Sequence, residues 1–193
     1  MAKQQNNVLI LTGFSGAGKD TIAAALLPYG YTSVIPHSTR PMREGESEGN
    51  PYYFVPHDRF SRMISANDFA EHNSYKTMFN GVAERQWYGT SYASLEAAEK
   101  PILTCGVQSS VRLKDSLHDA ATLVFLNVPD KVREQRAMSR GSFDRAEWDN
   151  RLTQDRNFRI NNRIDQLSDI IIENTDTVEN VVQTILAALN KGQ

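Results

Sequence analysis

Val8-Leu9-Ile10-Leu11 is a continuously apolar run that leads through Thr12 into Gly13-Phe14-Ser15-Gly16-Ala17-Gly18-Lys19-Asp20. A run of this kind reads as a strand buried on both faces, the strand type of parallel sheets. Helix-forming alanines and leucines follow from Lys19 to Leu27, and Pro28 and Gly30 stop them. Strand, glycine-rich turn and helix in that order constrain the fold more than any other feature, because they set the Gly-x-x-x-x-Gly-Lys frame in the context that confirms it. In that frame backbone N–H groups wrap a phosphate, the helix N-terminus adds a favourable dipole and Lys19 adds a charge. Gly13, Ser15, Gly16, Ala17, Gly18, Lys19, Asp20 and Thr21 are therefore expected to hold the phosphates of ATP. Asp20 stands where a Ser or Thr hydroxyl normally meets Mg2+. An anionic oxygen also suits a hard cation, and the other role open to Asp20 is to cap the helix.

The strand–helix rhythm recurs. Further strands are expected over 33–36, 102–105, 122–127 and 169–173, and helices over 107–117, 130–139, 145–161 and 177–189. This alternation predicts an α/β fold with a central parallel sheet flanked by helices and joined by right-handed crossovers, which with the phosphate loop makes it a fold of the P-loop type. Residues 39–94 break the rhythm with Gly-, Pro- and Tyr-rich segments and a short helix over 58–65, and read as an acceptor-binding insertion. Residues 139–161 read as a short lid, leaving 1–38, 95–138 and 162–193 as the core of one domain in a chain of 193 residues.

The formal net charge of −2 and pI near 6.1 argue against a protein that coats nucleic acid or an anionic membrane. The polar start, Met1 to Asn7, followed by only a short apolar run, predicts neither a signal peptide nor a membrane span, hence a cytoplasmic protein. One cysteine, Cys105, and four scattered histidines predict no intramolecular disulfide and no structural metal. Oligomeric state is not readable from the sequence.

Arg40 and Arg43 place two guanidinium forks three residues apart, and such forks match phosphate oxygens in bidentate fashion. They lie in Ser38-Thr39-Arg40-Pro41-Met42-Arg43-Glu44-Gly45-Glu46-Ser47-Glu48-Gly49-Asn50-Pro51-Tyr52-Tyr53-Phe54-Val55, which resembles the guanylate kinase signature. The similarity extends to Phe69-Ala70-Glu71, Trp87-Tyr88-Gly89-Thr90, Arg136 to Arg151 and Glu173-Asn174. The resemblance implies that Tyr52 and Tyr88 join the arginines on the acceptor phosphate. It also implies that Glu71 accepts from the guanine edge, that Thr90 contacts the base, and that Arg136, Arg140 and Arg151 serve as lid arginines. Arg133, Arg156, Arg159 and Arg163 are expected to form surface ion pairs. Three departures from the family are visible: Pro36 replaces a phosphate-contacting Ser, Thr104-Cys105-Gly106 replaces a pattern containing acids, and His72 to Gln86 lengthens the link from Glu71 to Tyr88.

The function so implied is ATP-dependent phosphoryl transfer, with Mg2+, to a nucleoside monophosphate, GMP or dGMP, the partners being small nucleotide substrates. The alternatives are a related kinase acting on another deoxynucleotide or a sugar phosphate, and a non-catalytic binding module. The intact Gly18-Lys19 pair argues against the last.

Overall fold

The computed structural model describes residues 7–79, 82–139 and 143–191. The elements, in chain order, are β1 (Val8–Thr12), α1 (Lys19–Leu26), β2 (Thr32–Ser33), β3 (His37–Ser38), β4 (Tyr53–Phe54) and α2 (His57–Ser65). There follow β5 (Phe69–Phe79), β6 (Val82–Ser91), α3 (Tyr92–Glu96), β7 (Pro101–Cys105), α4 (Val107–Leu117) and β8 (Ala121–Asn127). The last are α5 (Asp130–Met138), α6 (Arg145–Asn162), α7 (Ile164–Leu167), β9 (Ile170–Glu173) and α8 (Val178–Lys191).

Five parallel strands form the central sheet in the order β2-β7-β1-β8-β9. Because successive side chains of a strand point to opposite faces, β1 and β8 feed two separate cores. Leu9, Leu11, Val124 and Leu126 face Ile22 and Leu26 of α1 and Val181 and Ile185 of α8. Val8, Ile10, Leu123 and Phe125 face Val107 and Leu113 of α4, with Phe158 of α6 and Ile164 of α7. Burial on both sides explains the unbroken apolar runs. The chain leaves β1 toward β2 on one side and later crosses to β8 on the other, so the order reverses at β1. A crevice at the C-terminal end of β1 follows from that reversal.

A second sheet, ordered β4-β3-β6-β5, lies over 37–91 and carries its own small core of Val55, Phe60 and Phe69. Phe60 stacks on Phe69 with centroids 4.5 Å apart. A Cβ on Gly89 would sit 2.9 Å from the Phe69 ring, so only glycine lets β6 pass this close. The strand expected over 33–36 does not form as such; only Ser33 of it lies in a strand. Thr32–Ser33 pairs with β7, whereas His37–Ser38 pairs with β6 and β4 in the other sheet. Pro36, with no N–H to give to a ladder, lies between the two, and its carbonyl accepts from Tyr53 N at 2.9 Å. The hairpin β5–β6 and the short helices α3 and α7 were not foreseen. Among the described residues no helix is long and apolar enough to cross a membrane.

Thr39 stitches the second sheet together next to Arg40. Its hydroxyl donates to the Oε1 of buried Gln86 at 2.9 Å and accepts from Trp87 N at 2.8 Å. Thr39→Val keeps the shape but leaves both buried groups unpaired, so it should lower unfolding free energy by about 1–3 kcal/mol, read from the shift in urea midpoint.

Candidate active site

The loop between β1 and α1 is shaped by glycines at positive φ: Gly16 at 80° and Gly18 at 83°. A Cβ at Gly16 would meet the Arg133 carbonyl oxygen at 2.9 Å, so the loop and α5 are in direct backbone contact there. Lys19 Nζ lies across the loop and donates to the Gly13 carbonyl at 2.9 Å. Asn174, just past β9 and buried, donates to the Ala17 carbonyl at 2.6 Å. Arg136 donates to the Asn174 carbonyl at 2.9 Å. From α6, Arg151 Nη1 donates to Ser15 Oγ at 3.2 Å. Thus Lys19, Arg136 and Arg151, far apart in sequence, meet at one loop; Arg140 lies outside the described residues.

Arg133 corrects the expectation of a surface ion pair. It is 2% exposed. Its guanidinium donates to the Ser15 carbonyl at 2.9 Å, to Asp155 at 2.6 Å and to Asp130 at 2.7 Å, and it packs over the rings of Phe14 and Trp148. The charge is buried because two carboxylates, a carbonyl and two aromatic faces replace its water. Arg156 and Arg159 do lie in exposed pairs, with Asp130 and Asp165. Arg133 and Asn174 are thus supports of the phosphate loop to which sequence reasoning assigned no role. For Arg133 the sequence showed only acidic residues nearby, Asp130 and Glu134.

The second sheet closes a cavity of about 690 Å³ against the C-terminal ends of the central strands. Arg40, Arg43, Tyr52, Glu71, Tyr88 and Thr90 all line it, and so does Asp20 of α1. Arg40 is not open to the cavity along its whole fork. Glu46 binds it in bidentate fashion at 2.6 and 2.7 Å and also accepts from the Arg43 backbone N–H at 2.8 Å. The Arg40 bonds, then the Arg43 N–H, hold the Glu46 carboxyl down at about 2. Arg40 lies over the rings of Tyr52 and Phe54, and Tyr52 meets Tyr88 edge-on at 5.7 Å. The Arg43 side chain is exposed at the cavity wall. At the far end, Thr90 Oγ1 donates to Glu71 Oε1 at 3.2 Å, while the buried Oε2 has no partner among the described residues. Burial raises the Glu71 carboxyl above its ordinary value, opposed by the hydroxyls of Ser109 and Thr90.

Asp20 does not cap α1. The N-cap is Gly18, with no side-chain bond, and Asp20 Oδ1 instead accepts from Thr104 Oγ1 at 2.9 Å. In phosphate loops the metal is commonly held by a hydroxyl on the loop helix and a carboxylate on a neighbouring strand. Here the carboxylate is on the helix and the hydroxyl on β7, in mutual contact. Pro36, Thr104 and Gly106, the positions that depart from the family pattern, all line the same cavity.

Arg133→Met is expected to cost about 3–5 kcal/mol, because Asp130 and Asp155 lose their buried partner. It should weaken ADP binding in folded protein as well, since Ser15 loses its backbone anchor; calorimetric melting and ADP titration measure the two effects.

The guanylate kinase family profile matches residues 5–191. The chain is 31% identical to the guanylate kinase of Neisseria meningitidis over 91% of its own length and 83% of that protein's. It is 35% identical to the guanylate kinase of Helicobacter hepaticus over 78% of this chain and 74% of the relative. In structure it is similar to the guanylate kinase of Anaplasma phagocytophilum, with a TM-score of 0.63 at 23% identity, covering 97% of this chain and 86% of the other. A shikimate kinase from Bacteroides thetaiotaomicron shares the fold at a TM-score of 0.51 and 14% identity, over 95% and 98% of the two chains. With a family profile that spans nearly all of its length and two relatives above 30% identity, the chain belongs to the guanylate kinase family.

Proposed function

We propose that this protein transfers the γ-phosphoryl group of ATP to the phosphate of GMP or dGMP, giving the nucleoside diphosphate and ADP. The observation that carries this reading is a single cavity walled both by the phosphate-loop helix, through Asp20, and by the whole acceptor set from Arg40 to Thr90. Donor and acceptor sites that share a cavity can bring two phosphates into line. An oxygen of the acceptor phosphate attacks Pγ, and the bond from Pγ to the bridging oxygen of ADP breaks. The acceptor phosphate is already ionised near neutral pH, so the chain has no base to supply. Its task is positioning and charge neutralisation.

The loop N–H groups and Lys19 hold the β- and γ-phosphates. Arg136 and Arg151, anchored beside the loop, offset the charge that develops on the equatorial oxygens, and Arg140 joins them by family resemblance. Arg43, with Tyr52 and Tyr88, grips the acceptor phosphate, while Glu46 keeps the Arg40 charge in place beside it. Glu71 and Thr90 read the base. The Asp20 carboxylate and Thr104 hydroxyl are hard oxygen donors that fit Mg2+, which when bound neutralises phosphate charge and orients the chain of phosphates. The units 39–94 and 139–161 close over the substrates and exclude water, which would otherwise take the phosphoryl group.

A coupled assay across all ribo- and deoxynucleoside monophosphates tests the reading, with GMP and dGMP expected as the best acceptors. Activity only on non-guanine nucleotides, or on a sugar phosphate, would overturn it. Glu71→Gln should lower kcat/KM for guanine acceptors about 10- to 100-fold relative to other bases, because a donor then faces guanine N–H groups. The same change should raise stability by ~1 kcal/mol at neutral pH, a few degrees in Tm. The sign follows from the raised carboxyl: the folded state disfavours the ionised form, so the gain is full at neutral pH. It vanishes below the ordinary value of 4.5, where Glu71 is itself neutral.

The metal assignment has a separate test in equilibrium binding. Asp20→Thr should reduce the Mg2+-dependent tightening of ADP binding about tenfold, ~1.4 kcal/mol. Adding Thr104→Asp, which returns a carboxylate to the pair from the strand side, should restore it. A double variant that binds Mg2+ and ADP no better than the single one would sink the assignment.

A further inference from the structure

One wall of the acceptor cavity comes from residues outside the phosphate clamp: Tyr75 of β5, and Gly106 with Ser109 at the start of α4. β5 and β6 pair from Glu71↔Thr90 out to Phe79↔Val82, so the strand runs well past Glu71 into the segment that is longer than in the family. Its near half is tied to α4. Arg112 Nη1 donates to the His72 carbonyl at 2.7 Å, and Asn73 Nδ2 donates to Gln108 Oε1 at 2.9 Å. The same Asn73 amide donates to Tyr75 Oη at 3.0 Å, and the Tyr75 ring rests on Tyr88 with centroids 5.8 Å apart. Tyr75 is therefore held at the cavity wall from two sides. Asn73 fills one acceptor position of Oη, which leaves a second lone pair and the hydroxyl proton for other partners. Ser109 lines the same wall.

On its reading edge guanine presents three protons, one on N1 and two on the exocyclic N2. Glu71 has one oxygen engaged by Thr90 and one buried oxygen without a partner among the described residues. A carboxylate facing that edge takes the N1 proton and the inner N2 proton, leaving the outer N2 proton to another acceptor. At Gly106, where the family pattern has an acid, a Cβ would meet no described atom within 4 Å, so this chain has space and no carboxylate there. We propose that Tyr75 is a specificity-determining residue that replaces the missing acid, its Oη accepting the outer N2 proton of a guanine held by Glu71. Asn73 is the positioning residue that aims it. The inference rests on the guanine reading of the same cavity given above. It also assigns a function to the lengthened hairpin: β5 has to continue beyond Glu71 for a side chain at position 75 to reach this wall.

The test compares GMP with IMP, which differs only in lacking N2, by titration calorimetry and by kcat/KM. The wild-type protein should prefer GMP. Tyr75→Phe, which removes one oxygen and keeps the ring, should lower the GMP-to-IMP ratio about tenfold in both measurements, with Tm changed by less than about 2 °C. Asn73→Ala, which frees the hydroxyl without removing it, should lower the ratio by a smaller factor. A Tyr75→Phe protein that keeps the wild-type ratio while Glu71→Gln loses guanine selectivity would overturn the role of Tyr75 alone. A wild-type protein with no preference for guanine nucleotides would overturn both this inference and the reading on which it rests.

Discussion

The Arg133 guanidinium reaches from α5 to the Ser15 carbonyl, and Asp155 of α6 and Asp130 hold it from the other sides. A phosphate loop must point its N–H groups inward, which turns several carbonyls outward into the protein. Those carbonyls need donors. Arg133 serves Ser15, Asn174 serves Ala17 and Lys19 serves Gly13. The buried ion cluster is weak evidence for stability in itself, since desolvation offsets much of its attraction. Its effect is geometric, because one rigid fork ties the loop to two helices that also carry Arg136 and Arg151. Loop conformation and the placement of Arg136 and Arg151 beside it are then a single arrangement.

Most of the central sheet was legible because its strands are buried on both faces. Such strands have to be apolar throughout, and 8–11, 102–105 and 122–127 are recognisable without tertiary information. The helix over 107–117 was legible to the residue, being bounded by Gly106 before it and by a turn at His118 after it. The second sheet was not. Its strands have one polar face, several are two residues long, and β5 mixes Glu71, His72, Asn73 and Ser74 with apolar residues, so no period stands out. The break at Pro36 was equally hidden, since Ser33 to Pro36 does not reveal that the chain changes sheets between Ser33 and His37. In the site, the residues that line the cavity were picked out by type and spacing, whereas nothing in the sequence shows that Arg133 is buried against Phe14 and Trp148.

Two carboxylates of the acceptor site are handled in opposite ways. Glu46 is drawn far below its ordinary range by Arg40 and the Arg43 N–H, so it is a permanent anion that partly neutralises the clamp. This leaves Arg43 as the more open fork, a division of labour between two arginines that a motif presents as equivalent. Glu71 is buried with one oxygen without a partner among the described residues, and burial raises its carboxyl. Burial disfavours the ionised form of such a group, and a ligand with N–H donors would offset that cost. The first carboxylate organises the Arg40–Arg43 segment; the second, in the function proposed above, recognises the base.

Asn174 closes the phosphate loop from just beyond β9, yet the glycines and lysine of that loop lie between residues 13 and 19. During synthesis the first strand and the loop emerge early, but the Ala17 carbonyl has no buried donor until a strand some 150 residues later has docked beside β8. A chain without β9 leaves the loop without that donor, so in the function proposed above ATP, which stabilises by mass action whatever binds it, favours the folded chain over such intermediates. On that reading nucleotide affinity reports the docking of β9 beside β8.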